Sequence, residues 1–385
     1  MKITTRIYLD AALQNIKSVA FFTFLQVLII HLGASNFQVA LSNSLPQLFC
    51  AISLAFLTRQ LPVTRKVYLV SGYIRQFAFL GMALSALLPH PVLWLLFFWC
   101  INAVSVMANS AQQPAIMRRW VATTDFPRIF STNKLIGIVI IVVGSLAIGH
   151  LLDTTNQFFP YNYVVSMLVG CLATFTGMSL IAGLAPNEHV PFKLRKVRPL
   201  QECDRTIWWM GLNNMGVAMV APLLIIYHVK TLHLNNAQIG YFVVIAGVVS
   251  AIVLPLIRRW MERFGSMRLY GIAVLGAAIA ILPYGWVDRF WILLCLQAWI
   301  GMCMSVYEVA TQSVMMEEAG KHPKEMDYFS DFQLVMNGGN ALGALLAGGL
   351  VMFLPLWACF VIIALLRILI YVLRILPVFR LRKSI

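Results

Sequence analysis

Residues 130–151 read FSTNKLIGIVIIVVGSLAIGHL, and residues 329–350 read FSDFQLVMNGGNALGALLAGGL. Phe130, Ser131, Leu135, Gly144, Gly149 and Leu151 return as Phe329, Ser330, Leu334, Gly343, Gly348 and Leu350, all at an offset of 199. Nearby, Ser105, Val106 and Gln112 return as Ser305, Val306 and Gln312 at an offset of 200. Apolar segments share a small alphabet, so one match carries little weight. Six identities at a constant offset, glycines included, indicate a chain built from two related halves.

Composition says what kind of halves these are. The chain has 385 residues, 60% of them hydrophobic and 11% charged, and its mean hydropathy is +0.82. Soluble domains are nearer half apolar and a quarter charged. A spanning helix takes ~20 mostly apolar residues, so twelve would use roughly 240 and leave short loops. The expected class is an all-α membrane protein with twelve transmembrane helices in two pseudo-symmetric six-helix halves. Paired halves of this kind mark secondary transporters, in which substrate binds between the repeats.

The net charge of +15 invites a nucleic-acid reading, but its placement opposes one. Basic residues collect in alternate loops: Arg59, Arg65 and Lys66, then Arg118, Arg119 and Arg128, then Lys193 to Arg205, then Arg258 to Arg268. The intervening loops hold only Lys230 and Arg289. This is the positive-inside pattern, which puts both termini and the central loop in the cytoplasm and the chain in the cytoplasmic (inner) membrane. The seven cysteines are scattered singly, with no C-x-x-C and no Cys/His cluster. No disulfide framework, metal site or cofactor is expected.

The apolar spans read as 16–34, 37–57, 67–88, 91–116, 132–152, 160–184, 206–230, 236–257, 269–287, 290–315, 331–353 and 356–377. Gly33-Ala34-Ser35 faintly resembles a cleavage site, but the regular spacing afterwards makes the first run a spanning helix. Pro89, Pro91 and Pro355 mark turns, since proline lacks a donor and restricts the residue before it. The longest polar stretch divides the chain into an N-terminal half, 1–185, a cytoplasmic linker, 186–205, and a C-terminal half, 206–385.

The turn after segment 8 reads Glu262-Arg263-Phe264-Gly265, with Arg268 three residues on. Segment 5 carries Gly144-Ser145-Leu146-Ala147-Ile148-Gly149. With twelve segments in two halves, these resemble the major facilitator superfamily, whose G-x-x-x-D-R-x-G-R-R turn lies between segments 2 and 3 and is echoed between 8 and 9. Here Glu replaces the motif's Asp and Arg258 replaces its first Gly. The first-half copy, Thr58-Arg59 and Arg65-Lys66, has no acid. Segment 5 keeps the outer glycines of the exporters' G-P-x-x-G-G and lacks the proline. The resemblance implies a cavity lined by segments 1, 4, 7 and 10, and a gating role for Glu262, Arg263, Gly265 and Arg268. With Lys134 at the start of segment 5, Glu262 is expected to form a cytoplasmic latch; a turn that only sets topology is the alternative.

Polar stripes on those segments supply the candidate site. Segment 10 presents Gln297, Gly301, Met304, Glu308, Thr311 and Gln312 at helical spacing. Segment 4 presents Asn102, Ser105, Asn109, Gln112 and Gln113; segment 7 adds Asn213 and Asn214, and segment 1 adds Gln26. An unpaired amide in hydrocarbon costs several kcal/mol, so such faces turn inward, as cavity lining or as interhelical glue. Glu308 is the one acid well inside a predicted span, where a carboxylate costs on the order of 3 kcal/mol. Burial favours the neutral form of a carboxyl group, so Glu308 reads as a proton-coupling or substrate site. A structural pair, or a partly solvated position near the cytoplasmic mouth, stays open. Arg75 and Arg367 lie inside spans. Arg75 is near enough to the cytoplasmic end to snorkel, with a role inside the protein standing equally. Arg367, on a helix that faces lipid in the family resembled, reads as snorkelling or meeting a lipid headgroup, with a polar network as the alternative. Trp208, Trp209, Trp286 and Trp291, at span ends, read as interfacial anchors.

The expectation is a monomeric secondary active transporter, not an enzyme, embedded in the lipid bilayer and without a nucleic-acid partner. It moves a small amphiphilic neutral or cationic molecule by alternating access, coupled to protons, with export preferred. Uptake of a polar metabolite or flipping of a lipid-like molecule remains an alternative, as does a receptor or membrane enzyme. No G-x-x-x-x-G-K-[ST] loop for nucleotide phosphates is present.

Overall fold

The computed structural model describes residues 3–56, 61–62, 64–118, 120, 126–187, 205–319, 321 and 325–375. Every regular element among them is a helix. They are α1 (Ile3–Lys17), α2 (Leu25–His31), α3 (Asn36–Phe56), α4 (Arg65–Ser85), α5 (Pro91–Arg118), α6 (Phe126–Thr154) and α7 (Tyr161–Ala182). The second series is α8 (Arg205–Ile226), α9 (Asn236–Phe264), α10 (Ser266–Ile281), α11 (Phe290–Ala319), α12 (Glu325–Phe353) and α13 (Leu356–Ile370). π-helical turns at Ser18–Thr23 and Tyr227–Thr231 make α1 and α2 one rod and extend α8. Among the described residues eleven helices are long and apolar enough to cross a membrane, and Ser266–Ile281 is a shorter apolar one. The protein is a multi-pass membrane protein. Its outward faces carry large apolar side chains such as Val143, Leu172 and Phe353, as a bilayer requires.

The first span differs from its sequence reading. It begins at Ile3 and ends at His31, not at 16 and 34. Ile3, Ile7, Asp10 and Gln14 recur on one helical face, so the stretch placed before the first span is the first half of its helix. Most of the expected linker, including Lys193 to Arg198, lies outside the described residues.

The chain divides into two compact units: Met1–Gln38, Leu45–Arg198 and Asn235–Gly240 in one, Val39–Ser44, Pro199–Leu234 and Tyr241–Ile385 in the other. Both bring the repeated glycine into a close helix contact. In the first unit a Cβ on Gly144 would stand 3.2 Å from Val19 Cγ1; in the second, one on Gly343 would run into the Met215 carbonyl oxygen. α6 thus closes on the first rod as α12 closes on α8, and the glycines of the opening repeat are the contact points.

Local signals fix the helix starts. Ser35 and Gln38 exchange two bonds, Ser35 N–H to Gln38 Oε1 at 2.9 Å and Gln38 N–H to Ser35 Oγ at 3.2 Å. Asn235 and Gln238 do the same at 3.0 and 2.8 Å. These are reciprocal caps of the kind that satisfy orphan amides, and they stand 200 residues apart. The α9 start is held further by Asp153, which accepts from the Asn236 and Ala237 amides at 2.9 and 2.8 Å. A carboxylate there also meets the positive end of the helix dipole.

Candidate functional site

Each unit holds its own polar cluster within the helix packing. In the first, Asp10 is 2% exposed. The Gln14 amide donates to Asp10 Oδ1 at 3.2 Å, and the Gln113 amide of α5 donates to Oδ2 at 2.8 Å. Lys17 donates to Gln14 Oε1 at 3.1 Å, so α1 carries an acid, an amide and a cation in series. Arg75 of α4, only 7% exposed, and Lys17 both lie within electrostatic reach of the carboxylate. α7 completes the enclosure at Gly177, where a Cβ would come 2.6 Å from Asp10 Oδ1. Arg75 therefore points into the protein rather than snorkelling, and its Nε has no hydrogen-bond partner.

The amides expected from segment 4 are present but closed. Asn102, Asn109 and Gln112 are buried. Asn109 donates to the Ser105 carbonyl at 3.2 Å and Gln112 to the Ala108 carbonyl at 3.3 Å, both on their own helix. The side-chain oxygens of all three lack partners. Gln113, not Gln112, reaches the acid. Gln26 is half-buried on α2.

In the second unit Asn213 and Asn214 tie four helices together. Asn213 donates to Tyr270 Oη at 3.0 Å; Asn214 donates to Asn340 Oδ1 at 2.6 Å and accepts from Tyr307 Oη at 3.0 Å. Arg367 is 2% exposed, lies within electrostatic reach of both tyrosines, and leaves Nε and Nη2 without partners. The sequence reading of Arg367 as a lipid-facing or snorkelling residue is overturned: α13 turns it inward, and Gly216 makes the room, since a Cβ there would meet its Cγ at 2.9 Å.

α11 has a different character. Trp291, Cys295 and Trp299 are exposed along one side, the apolar side expected to meet lipid. Gln297, Met304, Glu308 and Gln312 recur on the other. There Glu308 and Gln312 are exposed, while Gln297 and Met304 are half-buried. Met304 packs on the core that contains Tyr270 and Tyr307, and Thr311 is buried. Glu308 is thus an accessible carboxylate inside a span, opposite the apolar side of its helix.

At the turn after α9, Arg258 Nε donates to Glu262 Oε1 at 3.1 Å, with both side chains largely exposed. The Arg263 guanidinium lies 5.4 Å from the Phe264 ring centroid. Gly265 has φ +81°, a left-handed conformation that a side chain would strain, so the motif's glycine is required by the turn. Lys134 and Arg268 are both half-buried, on α6 and α10 respectively.

Sequence reasoning missed Asp10. Its signal was the Ile3, Ile7, Asp10, Gln14 spacing, masked by the neighbouring Lys2, Arg6 and Lys17. Asp153 carried no motif; its role follows from where the Asn235 cap falls.

The family model described as Major Facilitator Superfamily matches residues 206–384. No curated protein matches the sequence. Among solved structures, the nucleoside transporter NupG is similar over 98% of this chain and 99% of its own at 13% identity and a TM-score of 0.68. A bacterial homologue of the iron transporter ferroportin, in its inward-facing state, aligns over 96% and 98% at 14% identity and 0.73. A POT family transporter in complex with 5-aminolevulinic acid aligns over 96% and 94% at 10% identity and 0.75.

Proposed function

Starting from a membrane transporter of the major facilitator fold, we propose that this chain carries a small amphiphilic, neutral or cationic molecule by alternating access and couples the movement to protons through Glu308. The proposal counts twelve spanning helices in two six-helix halves, with both termini on the cytoplasmic side of the inner membrane. The observation that carries it is the accessible carboxylate of Glu308 on the polar side of α11, flanked by Gln297, Met304 and Gln312. An acid there is costly to insert and can take up and release protons as its surroundings alternate. The outward direction rests on Gly144 and Gly149, retained from the exporters' pattern and both at close helix contacts.

In the proposed cycle Glu262 exchanges Arg258 for Lys134 when the cytoplasmic side closes. Lys134→Glu should then impair transport, and the double variant Glu262→Lys/Lys134→Glu should restore much of it. A double variant as impaired as the single one sinks the latch.

The substrate class is tested by thermal unfolding of wild type beside Glu308→Gln, at several pH values. The ligand panel comprises lipophilic cations, nucleosides, dipeptides, ferrous iron and lysolipids. A ligand at 100 times its dissociation constant stabilises the folded state by ~2.7 kcal/mol. The expected result is one class that stabilises wild type, with the pH dependence of that response lost in the variant. Equal responses at every pH would remove Glu308 from the mechanism.

A further inference from the structure

The outer surface of the first unit has a groove of about 530 Å³ between α3, α4 and α5, within the ~300–1,000 Å³ range of ligand pockets. Its walls are apolar: Phe49 of α3, Val70 and Ile74 of α4, Phe97 and Ile101 of α5. The two serines that line it are turned back on their own helices, Ser71 Oγ donating to the Val67 carbonyl and Ser105 Oγ to the Asn102 carbonyl, each at 2.8 Å. They offer a ligand no free hydroxyl proton. The groove therefore suits a hydrocarbon chain and discriminates against a polar one.

One lining residue breaks this pattern. Lys66 stands at the end of the groove, in the first turn of α4. Lys66, Val70 and Ile74 follow one another at four-residue spacing, so the cation and the apolar wall share one helix face over ~12 Å. Arg65 beside it is exposed as well, and Lys66 has no acidic partner among the described residues. The first turn of a helix adds a partial positive charge. An apolar trough that ends in cations complements a molecule with an apolar tail and an anionic head.

We propose that this groove is a binding site for an anionic phospholipid, one acyl chain lying along Val70 and Ile74 and the phosphate meeting Lys66. The basic residues of this end face the cytoplasm in the expected topology, the leaflet in which anionic lipids attract basic side chains. Val70, Ile74 and Phe97 are themselves exposed, so the chain reaches the groove sideways from the bilayer. The site uses residues of the first unit only and does not depend on the coupling proposed above.

The test uses the full chain in detergent, titrated with equal amounts of dioleoyl-phosphatidylglycerol and dioleoyl-phosphatidylcholine, with bound lipids counted by native mass spectrometry. Wild type should prefer phosphatidylglycerol by about fivefold or more, the effect of one basic residue near an anionic head. Lys66→Gln should bind both lipids equally, whereas Arg289→Gln, a change in the second unit, should keep the preference. Ile74→Trp, which fills the groove, should weaken both lipids. Unfolding temperatures of the variants show whether each is folded. A preference that survives Lys66→Gln, or that falls equally in Arg289→Gln, overturns the site. So does displacement of phosphatidylglycerol by glycerol 3-phosphate, because the head alone would then suffice.

Discussion

Removing the Asp10 carboxylate leaves the Gln14 and Gln113 amides without their acceptor inside the packing of α1, α4, α5 and α7. Asp10→Ala should therefore lower stability by about 1–3 kcal/mol, the cost of stranding buried donors. Asp10→Asn keeps an acceptor oxygen and should lose less. Thermal unfolding in detergent measures both, and an alanine variant as stable as wild type would show that the amides find other partners. Glu308 was legible as an acid within a span because no other charged residue stands between Arg289 and Glu317. Asp10 was not, because Lys2, Arg6 and Lys17 around it led the first span to be started at residue 16. Arg367 was misread for a related reason: the sequence shows its depth in the helix but not the Gly216 contact and the tyrosines that receive it.

Among elements, the glycines separate packing from conformational cost. A Cβ on Gly343 would collide with the Met215 carbonyl, whereas one on Gly338, one turn earlier on α12, would meet nothing within 4 Å. Gly343→Ala should destabilise by ~1–3 kcal/mol, as overpacking does. Gly338→Ala should stabilise by ~0.5–1 kcal/mol, because alanine loses less backbone freedom in a helix. Unfolding midpoints of the two variants should thus move in opposite directions; a shared direction would mean that α12 does not close on α8 at Gly343. The repeat pointed to Gly343 through its match with Gly144, so this contact was readable in outline. The caps at Ser35 and Asn235 carry S-x-x-Q and N-x-x-Q patterns that the sequence reading did not use. The π-helical turns were not readable, since neither SVAFFT at 18–23 nor YHVKT at 227–231 carries a proline or glycine to mark a departure from the α-helix.

For the whole molecule, composition was enough to reach a multi-pass helical membrane protein, because lipid leaves a chain few ways to satisfy its backbone. The amide stripes divided on folding. Asn213 and Asn214 became interhelical ties, Asn102, Asn109 and Gln112 were enclosed, and the side of α11 bearing Glu308 stayed accessible. Periodicity places such residues on one face but does not say how closely the next helix approaches it. The central claim is that accessible Glu308 couples cargo to protons. The most direct measurement is accumulation of labelled tetraphenylphosphonium, and then of each ligand that stabilises the protein, in proteoliposomes under an imposed pH gradient. The account predicts accumulation that collapses with a proton ionophore and is lost in Glu308→Gln, while exchange of preloaded ligand persists in the variant. Accumulation unaffected by the ionophore, or equal in the variant and wild type, would contradict it.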